Sequence, residues 1–163
     1  MNKFAVWIFA GGILLGQPQG DPGRGATIFE GRGGCLSCHR VMAIGSRSGP
    51  ELTGIGSLRR ATPGYLERAL LDPDADVAKE NRGIRVKLKK DGAVVTGRLI
   101  DRDWFTMQIV DSRGDLKSFR KSELSETTLV TKGLMPSYKG KLSAQDIADV
   151  VSYLRSLKGY TGR

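Results

Sequence analysis

Histidine and cysteine are nearly absent from this chain. Among its 163 residues His39 is the only histidine, and Cys35 and Cys38 are the only cysteines. A zinc site made of side chains wants four N, S or O ligands, so two Cys and one His leave it short. Methionine is then the one other soft metal donor, at positions 1, 42, 107 and 135. Acidic residues are also scarce, 17 against 26 Lys and Arg, for a net charge of +9. Such a balance favours an acidic partner surface or is a solvated basic face, and it decides nothing about the fold. Long apolar runs are missing too. The one extended run, Phe4–Leu15, has twelve residues, too few to span a bilayer comfortably.

That run follows Lys3 and reads as the h-region of an export signal over residues 1–20. Gly16 and Gly20 suit the last position before a cleavage site, whereas Leu14 and Pro18 are poor small residues two places earlier. Export to a periplasmic location is therefore expected, with an uncleaved leader left open as a membrane anchor. At 163 residues, 39% hydrophobic and 26% charged, the whole is expected to be a soluble globular chain with room for one or two small domains.

What is present is concentrated in CLSCH, Cys35–His39. C-x-x-C-H is the attachment signature of c-type haem. Each thiol can add across one vinyl group, and the His that follows lies under the iron as an axial ligand. Other readings of a C-x-x-C pair are a thioredoxin-like dithiol and a plain disulfide. The first wants a βαβ setting in front of it, and here a Gly-rich helical stretch precedes the motif; the second has no need of a His behind it.

Helical signals flank this motif. Asp21-Pro22 makes an N-cap and N1 pair for a short helix through Ile28 and Phe29, broken at Gly31, Gly33 and Gly34. After it come the loop Ser48–Gly56, with Pro50 and the apolar Leu52, and a second helix opened by Thr62-Pro63 and stopped by Asp72-Pro73. Ser143 and Asp146 form a capping box for a third, with Ile147, Val150, Val151, Leu154 and Leu157 at helical spacing and Gly159 as the stop. Among the methionines, Met1 belongs to the leader, Met42 is three residues from His39, and Met107 sits in an alternating strand pattern. Met135, fixed by Pro136 in a loop, is the remaining candidate for the opposite axial position.

Together Gly25–Phe29, CLSCH, GPELTG, the late Met-Pro pair and YLRSL resemble a class I cytochrome c. The resemblance implies a single covalent haem on Cys35 and Cys38, with His39 and Met135 as axial iron ligands. It further implies that the Pro50 carbonyl takes the other ring N–H of His39, that Pro50 and Leu52 belong to the haem-binding loop, and that the first and last helices cross near Gly25, Phe29, Tyr153 and Leu154. The match covers residues 21–82 and 132–158.

The stretch between departs from that pattern. From Gly83 apolar residues alternate with charged ones, and Asp91-Gly92, Asp101–Asp103 and Arg113-Gly114 punctuate strands at 84–88, 93–100, 104–110 and 116–120, with a last one around Leu129. The expected architecture is thus a mainly α cytochrome c fold, residues 21–82 and 132–163, carrying an inserted small antiparallel β-barrel at 83–131, α+β overall. The insert resembles the SH3-like or Sm-like module of haem-binding cytochromes from environmental bacteria. VKLKKDGAVVTGRLIDRD also looks like a first Sm motif, but Thr106-Met107 replaces the expected Met-Asn pair, which argues against nucleic acid. The expected function is outer-sphere transfer of single electrons between redox partners with acidic surfaces, by a carrier and not an enzyme. The competing reading, a ligand sensor or small peroxidase, requires Met135 to vacate the iron.

Overall fold

A computed structural model of the chain describes residues 18–77, 81–130 and 132–159. Most of the expected leader, residues 1–17, and the expected boundary residue Thr131 lie outside the described residues. Three short helices, α1 (Pro22–Glu30), α2 (Pro63–Leu71) and α3 (Ala144–Ser156), enclose one core. Seven strands follow the chain order β1 (Arg40–Val41), β2 (Ile44–Gly45), β3 (Gly83–Leu88), β4 (Val94–Arg102), β5 (Thr106–Asp111), β6 (Leu116–Arg120) and β7 (Leu124–Leu129).

Each helix begins where its side chains supply a cap. Asp21 accepts the amide of Arg24 ahead of Pro22, Thr62 accepts that of Tyr65 ahead of Pro63, and Ser143 and Asp146 satisfy one another's amides reciprocally. α1 and α3 cross with their backbones almost touching at Gly25, where a Cβ would lie 2.0 Å from the Asp149 carbonyl oxygen. Beside the crossing, the rings of Phe29 and Tyr153 pack tilted with centroids 5.3 Å apart. Beneath it Ile28, Phe29, Leu66, Ile147, Val150 and Leu154 form the core. Asp149 is buried there, and its carboxylate is fully occupied by the Arg24 guanidinium, the Asp21 amide and the Gln145 side chain.

Strands β3 to β7 make an antiparallel sheet of order β6-β5-β4-β3-β7 over a second core of Ile84, Val86, Met107, Ile109 and Leu124. This corrects the expected mainly α fold with a closed barrel. Among the described residues the strands hold more of the chain than the three short helices, a mainly β balance. The sheet is open, because β6 and β7 are its two edges and do not pair. Turn signals and alternation reveal how many strands there are. Whether the outer two meet depends on tilt and shear across the whole sheet, which no local pattern encodes.

The β4–β5 turn also moved. Asp101–Asp103 was expected as the turn and Trp104 as strand, yet β4 runs to Arg102, and Trp104 and Phe105 form the tip, 91% and 80% exposed. The Asp103 carboxylate explains this, since it accepts the amides of Phe105 and Thr106 and so closes the turn two residues later. The first and last strands of the sheet are neighbours, with Ile84 opposite Leu129 and the Val130 amide on the Gly83 carbonyl at 2.9 Å. This segment therefore leaves and rejoins the helical part at nearly one place. Among the described residues no helix is long and apolar enough to cross a membrane.

Candidate functional site: the Cys35–His39 turn and its loop

The motif lies in a tight turn that follows directly from the end of α1. Gly31 ends the helix, the Gly33 amide still reaches the Ile28 carbonyl at 2.8 Å, and Gly34 takes φ 62°, a left-handed value that glycine adopts without strain. Cys35–Ser37 is then a single 3₁₀ turn, and the amides of both Cys38 and His39 return to the Cys35 carbonyl, at 3.2 and 2.8 Å. Winding the chain this way packs the backbones of Cys35, Cys38 and His39 into a single turn. Both thiols are free, Cys35 buried and Cys38 half-buried. Burial pushes the Cys35 thiol up, partly offset by the Tyr138 hydroxyl 3.8 Å from its sulfur.

The loop after the motif folds back under His39. Its Nδ1 lies 2.9 Å from the Pro50 carbonyl oxygen. A carbonyl only accepts, so Nδ1 carries the proton and, in the neutral ring, Nε2 keeps a free lone pair. Burial lowers the imidazole pKa, the Pro50 bond opposes that, and the Arg98 charge adds to the lowering. The neutral, metal-ligating form is thereby favoured near neutral pH. Gly49 packs closely against the ring: a Cβ there would stand 3.1 Å from its Cε1 and Nδ1, so the imidazole would have to give by a few tenths of an ångström. Between motif and loop, β1 and β2 form a small hairpin whose turn residues Met42 and Ala43 both have positive φ, 49° and 68°. The Met42 amide is held by the Thr53 hydroxyl at 2.8 Å, and Thr53 in turn bonds Glu51.

Met135 lies in the segment joining β7 to α3. It is half-buried and packs against the same core that contains Cys35, as do Leu36 and Leu52. Its loop is pinned to the end of α2, with the Ser137 hydroxyl on the Leu71 carbonyl at 2.6 Å and the Tyr138 amide on the Leu70 carbonyl at 2.9 Å. Tyr138 also donates its hydroxyl to the Gly33 carbonyl at 2.7 Å, tying the Met135 loop to the start of the Cys turn. The other two described methionines are elsewhere: Met42 is exposed at the β1–β2 turn, and Met107 is buried in the sheet core.

The chain is 35% identical over 68 residues to a cytochrome c type-1 of Ascaris suum. That likeness takes in 41% of this chain and 52% of the relative, so the chain spans about half the length of the curated protein it matches. No protein-family model matches.

Several site residues escaped the reading of the sequence. Tyr138 and Gly49 act through contacts with the motif, and Arg98 reaches the motif's loop from the sheet. Their local sequence reveals no partner ten or more residues away.

Proposed function

We propose that the chain is an exported mono-haem c-type cytochrome that carries single electrons between redox proteins. Cys35 and Cys38 would hold the haem by thioether bonds, His39 Nε2 and Met135 sulfur would take the two axial positions, and Pro50 and Leu52 would line the pocket. Haem, when bound, supplies a one-electron couple at its iron.

One observation supports this reading above the rest. In a turn that collects two free thiols and one histidine, the Pro50 carbonyl holds Nδ1–H at 2.9 Å and leaves Nε2 with an unshared pair. A ligand nitrogen needs its ring held in one orientation, as the Pro50 bond and the close Gly49 contact with Cε1 and Nδ1 hold it. The donor set fits a macrocycle as well. Two free thiols three positions apart and one histidine whose other ring nitrogen is already held are the donors a covalently attached haem would need, and among the described residues no three His, Cys, Asp or Glu are placed to hold a bare ion.

The residues' roles follow from their positions. The fixed tautomer of His39 orients the ring and raises its basicity. A thioether from Met135 favours the ferrous state relative to a second imidazole. If His39 and Met135 both held the group, no ligand position would be left for a substrate, which separates a carrier from a peroxidase or sensor. A basic surface, +9 overall, would steer the protein toward acidic partners in the periplasm. The deciding experiment is production with haem-attachment machinery followed by acid–acetone extraction. Haem is expected to stay with the polypeptide, and its clean release would overturn the roles of Cys35 and Cys38.

A further inference from the structure

Arg98 joins the sheet to the loop that holds His39. It sits in the middle of β4, and its Nη2 donates to the carbonyls of Arg47, at 3.0 Å, and of Gly49, at 3.3 Å. Gly49 in turn lies against the imidazole, and the next carbonyl, that of Pro50, holds Nδ1. Guanidinium, loop and ring thus form one unbroken chain of contacts. A second contact steadies the approach: at the β5–β6 turn a Cβ on Gly114 would stand 2.8 Å from the Ser46 hydroxyl.

Two further facts concern the charge itself. Nε of Arg98 is buried and has no hydrogen-bond partner, so part of the cation has left water without full replacement. Among the described residues no carboxylate forms an ion pair with it, and its hydrogen-bond partners are the two loop carbonyls. Arginine keeps its proton under such conditions, and a partly dehydrated charge is screened less than an exposed one.

We propose that Arg98 is the positioning residue through which the sheet governs His39: it braces the Arg47–Pro50 backbone and fixes a positive charge beside the imidazole, raising the reduction potential of the iron that His39 would ligate. This rests on the carrier reading above. Oxidation adds one positive charge at the metal, so a fixed cation nearby disfavours the ferric state. The sheet, on this view, sets the potential of a centre to which it contributes no ligand.

The test is a redox titration of the full, haem-loaded chain. Arg98→Gln drops the charge and keeps an amide donor, whereas Arg98→Lys keeps the charge and loses the planar fork. In the glutamine variant the ferrous-to-ferric ratio at a fixed electrode potential is expected to fall several-fold, a tenfold fall being 59 mV for one electron. The lysine variant should stay closer to wild type, and both should keep a low-spin spectrum. If the glutamine variant does not accumulate, Arg98→Met carries the same comparison. Equal midpoints in all forms, or an equal fall with lysine and with the neutral residue, overturn the inference while haem attachment stands. Wild-type protein that attaches no haem overturns the carrier reading, and this inference with it.

Discussion

Two glycines two residues apart in α1 should respond to alanine with opposite signs. Gly23 is exposed, and a Cβ there would meet only the Asp21 carboxylate, at 3.3 Å. Helix propensity then dominates, and Gly23→Ala should stabilise by about 0.5 to 1 kcal/mol. At Gly25 the same Cβ would lie 2.0 Å from the Asp149 carbonyl oxygen, 2.6 Å from its carbon and 2.8 Å from the Tyr153 Cβ. An ordinary carbon–oxygen contact is roughly 3.3 Å or longer, so α1 and α3 must part by about an ångström. Two of the three obstacles are backbone and cannot rotate away. Overpacking of this kind costs about 1 to 3 kcal/mol, and the upper end applies here. Loosening the Phe29–Tyr153 ring pair adds about 0.5 to 1.5 kcal/mol. Against this stands a propensity gain of about 1 kcal/mol, leaving Gly25→Ala destabilised by ~2 kcal/mol or more. For a chain of this size each kcal/mol moves the midpoint by about 2 to 4 °C. Thermal melts followed by far-UV circular dichroism should therefore fall by roughly 4 to 8 °C for Gly25→Ala and rise slightly for Gly23→Ala. A rise in both would refute the helix crossing.

Ligation and acid stability are open to equally direct tests. Met135→Ala in the haem-loaded protein should open the sixth position, lower the potential and admit carbon monoxide, whereas Met107→Ala should leave the spectrum alone and cost ~2 to 5 kcal/mol of stability through the cavity it leaves; a low-spin spectrum lost only with Met107 would name the wrong sulfur. Asp149 is held well below the usual carboxylate range, chiefly by its hydrogen bond from Arg24, with burial opposing and the Asp21 amide and Gln145 assisting. Its folded pKa is depressed, so the stability it contributes is fully present above the unfolded value of 3.8 and is lost as pH falls through the folded one. Urea midpoints of wild type and Asp149→Asn should thus lie far apart at neutral pH and draw together below about pH 4; a gap that holds constant into acid would show that the pairing contributes nothing through charge.

Local grammar determined a good deal. Asp21-Pro22, Thr62-Pro63 and the Ser143–Asp146 box place the helix starts, because a cap is settled by residues within one turn of each other. Strand alternation in the sheet was legible for the same reason, as one buried face imposes a period of two. The five-residue motif carried its own chemistry, since covalent attachment depends on spacing along the chain and not on distant partners. Tertiary structure decided what depends on remote groups. It left the sheet open instead of closed, because closure is a property of all five strands together. It moved the β4–β5 turn to Trp104 and Phe105 once the Asp103 carboxylate had captured two amides. It brought Arg98 of the sheet, 59 residues after His39, to the carbonyls behind the imidazole. No periodicity or motif announces such a contact, because a half-buried arginine on a strand reads like any other charged residue until the fold shows what it reaches.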